Sequence, residues 1–416
     1  MSNHIFAPVG ALEDALNNAV YERKHEIHGM IASMMAGEHV YIGGPPGSGK
    51  SYMGRMMQSL IGGAIGFSNT FHAFSTPDEV AGPFDPSMIL SGRMRRKTDG
   101  MLPRSHFARL EEIFKSGAGC LGILTDILVD GVILQEGQEE KCDLIQALAT
   151  SNELPQDDSL AYLWDRFALR YWVDYLKSRE SRLKALTLRK GHGSLKPIVS
   201  LDDLIEMRLI IKRTPIDSAL SETLLNVQEA LFQEGYTLSD RRLGRLQEVC
   251  HADMLVFNKS PADAALIVSA GAWMQIDQRD AVKRIVAKAA NPHLGRVIEL
   301  HDAAREKYDE GKLAYNAYWQ LVKDQPSRQV SINAESLQRI QACNQVVKES
   351  CGKVREALSL VGQHAKDASD ECAKWANELQ GHIVEVVQNR RRLDSRSAEL
   401  DANGFTAAER ERMARS

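Results

Sequence analysis

Residues 44–51 read Gly44-Pro-Pro-Gly-Ser-Gly-Lys-Ser51, with the apolar run His39-Val-Tyr-Ile-Gly43 before them and a helical pattern from Tyr52 to Leu60 after them. The stretch matches G-x-x-x-x-G-K-[ST] in full. Glycines at a strand-to-helix joint let backbone N–H groups converge on phosphate, and the dipole of the following helix favours negative charge there. In this pattern Lys50 reaches the β- and γ-phosphates, and the Ser51 hydroxyl holds Mg²⁺. The candidate nucleotide-binding residues are therefore Gly44, Pro45, Pro46, Gly47, Ser48, Gly49, Lys50, Ser51 and Tyr52. A strand, a loop and a helix in that order predict an α/β layer over residues 1–175.

Cleavage of a bound nucleoside triphosphate needs carboxylates at the end of a second strand, one for the magnesium shell and one to polarise water. Phe107-Ala-Arg-Leu-Glu-Glu112 supplies them, with Glu111 as the metal candidate and Glu112 as the base. Arg109 interrupts its apolar run, and a surface helix start would also set two glutamates together. Leu144 to Ala149 reads as a further strand, and Asn152 after it could hold water against the γ-phosphate or simply make a turn. Asp165-Arg-Phe167 follows a short helix at 160–163, so Arg166 could reach a neighbour's γ-phosphate. Arg170 could take that role instead, or pair with a carboxylate. Ser239-Asp-Arg-Arg242 opens a later helix, placing one arginine where it could fold back on the same nucleotide.

The 416 residues are 44% hydrophobic and 25% charged, with a net charge of -4, which is ordinary globular composition with no electrostatic case for nucleic acid. A basic stretch at 93–97 lacks interleaved aromatics and reads as a solvated loop or a pore contact. The six cysteines are scattered without a C-x-x-C pair, which points to reduced thiols in a cytoplasmic setting. No apolar run approaches the length of a membrane span. Asp130-Gly131 signals a hairpin turn within 127–140. Beyond about 176 the pattern turns helical: Val199-Ser-Leu-Asp-Asp-Leu204 reads as a helix start with Ser200 as N-cap, opening an all-α segment to 292. In 293–416 a stripe of fours and threes runs from Val347 through Cys351, Val354, Leu358, Val361, Ala365, Ala368, Cys372, Trp375, Leu379 and His382 to Val386. A weaker stripe lies upstream at 294–323, and a break at 324–327 predicts a long helical hairpin, the alternative being that 331–390 pairs with another chain. Past Arg390-Arg-Arg392 the charged tail is expected to fray.

This order of motifs resembles the MoxR family of AAA+ ATPases, and its RavA branch in particular, over about residues 15–290. Glu22-Arg-Lys-His-Glu-Ile27 is similar to the family's N-terminal helix, and Phe74-Ser-Thr-Pro-Asp-Glu-Val-Ala-Gly-Pro83 to the segment that leads into its helix-2 insert. The resemblance puts Glu111-Glu112 at Walker B, Asn152 at sensor 1, Arg166 as an arginine finger acting in trans and Arg241 at sensor 2. It implies a parallel sheet flanked by helices, an all-α lid, ATP with Mg²⁺, and a hexameric homo-oligomeric ring with nucleotide between subunits. A chaperone-like remodelling role follows, often alongside a companion with a von Willebrand factor A domain. Glu111 departs from the family's Asp. No β-rich segment matches the small domain that interrupts the RavA stalk.

Overall fold

The computed structural model describes residues 5–155, 161–187, 196–324 and 329–402. The chain divides into two compact units, Met1–Ala290 and Asn291–Ser416. The strands of the first unit are β1 (Val40–Gly43), β2 (Ile61–Gly62), β3 (Gly66–Thr70), β4 (Phe107–Glu111), β5 (Val132–Gln135), β6 (Gln138–Lys141), β7 (Gln146–Ser151), β8 (Leu169–Trp172) and β9 (Val199–Ser200). Five of them form one sheet in the order β3-β4-β7-β1-β8, with every neighbouring pair parallel. Every residue of β1 and β7 is buried, as strands covered by helices on both faces must be. The registers align the strand ends: Gly43 sits opposite Ser151 and Trp172, and Glu111 opposite Thr150. One edge of the sheet therefore gathers the loop after β1, the glutamates after β4 and the asparagine after β7. That C-terminal edge is where open parallel sheets bind ligands.

The strand predicted at 144–149 runs two residues later, as Gln146–Ser151. The hairpin exists, but its turn is not at Asp130-Gly131. β5 and β6 pair antiparallel with Gln135 opposite Gln138. The linking residues Glu136 and Gly137 both have positive φ, 54° and 78°, which is the twist a two-residue hairpin loop requires. Gly131 instead closes the helical stretch before β5, at φ 64°.

Ser200 caps the Leu201–Arg213 helix as expected, its hydroxyl accepting from the Asp203 N–H at 3.1 Å. The helices that follow, among them Ser218–Gln233, Asp240–Phe257 and Arg279–Ala290, share one apolar core with the sheet. Trp164 meets Trp273 edge-on at 5.8 Å across that core. A polar tie also joins the Asp240–Phe257 helix to the N-terminal helices: His28 lies 2.7 Å from buried Asp253 and 2.8 Å from Glu13.

The second unit corrects the predicted hairpin, because its described residues form three long helices, Pro292–Asp324, Gln329–Glu356 and Leu358–Ala402. Pairing of Asn344 with Gln380 and of Cys351 with Ser369 makes the second and third antiparallel. Pairing of His301 with Glu371 and of Asn389 with Tyr318 makes the first and third parallel. The chain reverses at Ala357, inside the stripe, where neither proline nor glycine marks a stop. The stripe persists through the reversal because both helices face one core. His382, the odd member, stacks on Tyr315 at 3.8 Å. The third helix continues through Ala402, past the expected fraying point. The predicted break at 324–327 falls mostly outside the described residues, as do 403–416. Among the described residues no helix is long and apolar enough to cross a membrane.

Candidate nucleotide-binding site

The loop after β1 has the backbone that its glycines predict. Gly44, Gly47 and Gly49 have φ of 148°, 79° and 90°, which side chains rarely permit. At Gly44 the need is also steric, since a Cβ there would lie 2.1 Å from the Val173 carbonyl oxygen. Gly49 is the N-cap of the Lys50–Ser59 helix and hands its first-turn N–H groups to the loop's concave side. Ser48 closes the loop internally, its hydroxyl donating to the Pro45 carbonyl at 2.8 Å.

Lys50 is buried and reaches back over the loop, donating to the carbonyls of Gly44 at 2.6 Å and Pro45 at 2.9 Å and to Asn152 Oδ1 at 3.0 Å. Burial lowers its pKa, and the charges of Glu112 and Glu111 work against that shift. Asn152 Nδ2 in turn donates to Glu112 Oε1 at 2.7 Å. One chain of hydrogen bonds thus joins the lysine, the asparagine and the glutamate across three adjacent strands. Glu112 has φ 54° and ψ 40°, a conformation costly for a residue with a side chain and concentrated at functional sites. Lys115 stands 3.1 Å from its other carboxylate oxygen.

Arg109 interrupts the apolar run without breaking β4. Its stem packs on Gly54 of the Lys50–Ser59 helix, where a Cβ would lie 3.1 Å from Arg109 Cδ. Its guanidinium lies 4.0 Å from Glu111.

Residues 9–197 match the family profile described as the MoxR domain in the MoxR-vWA-beta-propeller ternary systems. The likeness is to a MoxR domain and extends over a little less than half of the chain. Two uncharacterised proteins of Methanocaldococcus jannaschii are similar over a longer stretch. One is 29% identical over 291 residues, covering 69% of this chain and 77% of the relative. The other is 27% identical over 304 residues, covering 72% and 79%. A solved Cytophaga hutchinsonii protein, described as a candidate ATPase, superposes with a TM-score of 0.57 at 19% identity, over 69% of this chain and 96% of that one. At that identity the likeness concerns the fold.

The candidate arginines of the first unit sort by burial. Arg170 is fully buried in its own subunit, donating to the carbonyls of Trp273 at 3.0 Å and Trp164 at 2.8 Å, with its guanidinium 4.3 Å over the Trp164 ring. It is a core residue and does not reach outward. Arg242 is likewise buried and pairs with Asp165. Arg241, its neighbour, is exposed. Arg166 precedes β8, whose first residue, Leu169, pairs with Val40 at the start of β1. Arg166 therefore lies at the end of the sheet opposite Gly44–Ser51. Its pKa is lowered first by burial and then by the nearby charges of Arg241 and Arg245, so Arg241 stands with Arg166. The expectation that an arginine of this helix folds back on the chain's own loop does not match that placement, because the helix packs at the far end of β1.

Arg23 belongs to the site and escaped the sequence reading. Its guanidinium donates to the carbonyls of Ser48, at 3.3 Å, and Asp174, fastening the loop from beneath. The only signal was an arginine before a helix start. The basic stretch at 93–97 is neutralised within the chain: Arg93 pairs with Glu136, Arg95 with Glu140 and Arg96 with Asp78.

Proposed function

We propose that this chain is an ATP-hydrolysing AAA+ protein that works as an oligomeric ring, hexameric by the resemblance, with each nucleotide shared by two subunits. The observation that carries this is the bonded run Lys50–Asn152–Glu112 at the strand ends. Gly44–Ser51 binds the phosphates, Lys50 faces the β- and γ-phosphates, and Asn152 orients Glu112 toward an attacking water. Magnesium, carried in with ATP, spreads phosphate charge; Ser51 and Glu111 are the residues that would hold it. Arg166, with Arg241 beside it, serves the neighbour's nucleotide, because both stand near the start of β1, at the other end of that strand from their own loop. The biological role would be chaperone-like remodelling or maturation of a protein complex in the cytoplasm, with a von Willebrand factor A companion as in the systems that name the matched profile. The long helices of the second unit favour the RavA-like branch.

Magnesium-dependent phosphate release tests hydrolysis: it should be saturable in ATP and lost in Lys50→Ala. Sharing is tested by co-expressing Arg166→Ala with Glu112→Gln copies. Mixed oligomers should outpace the sum of the two parents, since each supplies what the other lacks; no gain would remove the shared site. A slow, scaffold-like ATPase is the second reading, favoured by Arg109 beside Glu111. It predicts ATP binding and assembly with turnover indifferent to Glu112→Gln.

A further inference from the structure

We propose that Arg245 is a positioning residue that holds the Arg166 finger for the neighbouring subunit, with Arg242 as its partner in the clamp. The inference rests on the shared-site reading and adds the device that sets the finger's position. Arg245 Nη1 donates to the backbone carbonyl of Arg166 at 2.8 Å. The same guanidinium lies 3.7 Å from Glu38, just ahead of β1. One turn earlier on the same helix, Arg242 grips the carboxylate of Asp165, the residue before the finger. Asp165 is also 4.0 Å from fully buried Arg170, which cannot move without exposing two core carbonyls.

The Asp165 carboxylate and the carbonyl of Arg166 itself are thus tied to the Asp240–Phe257 helix, which also carries exposed Arg241. Arg166 Nε is buried without a hydrogen-bond partner, and the like charges of Arg241 and Arg245 stand nearby, offset in smaller measure by Asp165 and Asp130. A further anion arriving at these guanidiniums would be favourable. A phosphate of the adjoining subunit has the right chemistry. Any tilt of the helix would carry Arg166 and Arg241 together, so the helix acts as the finger's mount.

The competing role for Arg245 is to pack this helix on its own sheet, which would harm only its own subunit. Co-expression of differently tagged copies separates the two. Arg245→Gln alone should lose turnover by roughly 10- to 100-fold, as misplacing a catalytic group by about an ångström does. Its ATP affinity, read with a fluorescent analogue, should stay within twofold of the parent. Arg245→Lys, which keeps a donor for the Arg166 carbonyl, should recover part of the rate. Mixed with Glu112→Gln copies, Arg245→Gln should be rescued as Arg166→Ala is, because its intact loop then faces a well-held finger. Rescue of Arg166→Ala without rescue of Arg245→Gln, or of Arg245→Lys should Arg245→Gln not fold, overturns the proposal. Failure of the Arg166→Ala mixture overturns the shared site itself, and the clamp with it.

Discussion

Glu112→Gln removes the proposed base and almost nothing else. The substitution is isosteric, and Asn152 Nδ2 now donates at 2.7 Å to an oxygen that the amide retains. The second carboxylate oxygen is buried without a hydrogen bond and lies 3.1 Å from the half-exposed Lys115 ammonium, an ion pair worth at most about 1 kcal/mol. Folding and ATP affinity should therefore change little. General-base assistance contributes about 100- to 10,000-fold. The expected rate loss is thus about 2.7–5.4 kcal/mol in the barrier, at about 1.36 kcal/mol per tenfold. Phosphate release at saturating ATP and magnesium, with binding of a fluorescent analogue in parallel, reads both quantities. Turnover within twofold of the parent, at equal affinity, would refute the assignment of Glu112. A collapse of affinity along with rate would place Glu112 in binding instead.

Gly44→Ala should abolish ATP binding while the fold survives, because the new Cβ meets the Val173 carbonyl at 2.1 Å and the loop must leave its position; calorimetric titration checks it. Arg170→Met should lower urea stability by about 2–6 kcal/mol, as two buried carbonyls each lose a donor at about 1–3 kcal/mol. A stability change under 1 kcal/mol would contradict its place in the core. His28 gives a pH dependence. Burial alone would lower its pKa, but hydrogen bonds to Asp253 and Glu13 outweigh this and raise it to about 9. With a folded pKa above the unfolded value near 6.5, its stabilisation is fully present below about pH 6.5 and lost as pH rises through 9. The urea midpoints of the parent and His28→Gln should differ at pH 6 and converge by pH 9.5.

What the sequence made legible follows from how local each signal is. The loop at 44–51 needs only its neighbours, so its strand, glycines and helix could be read directly. Glu112 and Asn152 were recognisable as strand ends, yet the bond between them depends on β4 and β7 being adjacent, which no spacing states. β3 went unread because Gly66-Phe-Ser-Asn-Thr70 is an edge strand with one buried side chain. β8 was hidden by Arg170, which looks like surface and is instead the charge at the centre of a tryptophan cluster. Whether Arg241 or Arg242 faces inward is decided by Asp165, more than seventy residues away in sequence. The reversal at Ala357 left no mark because the buried stripe runs on unchanged.

A shared site makes hydrolysis a property of assembled subunits. The direct measurement is phosphate release per subunit across a dilution series, with the mass of the particles followed by light scattering. The rate per subunit should fall in step with the loss of oligomers and approach zero for monomers. A rate that holds steady while the particles have become monomeric would contradict the site described here.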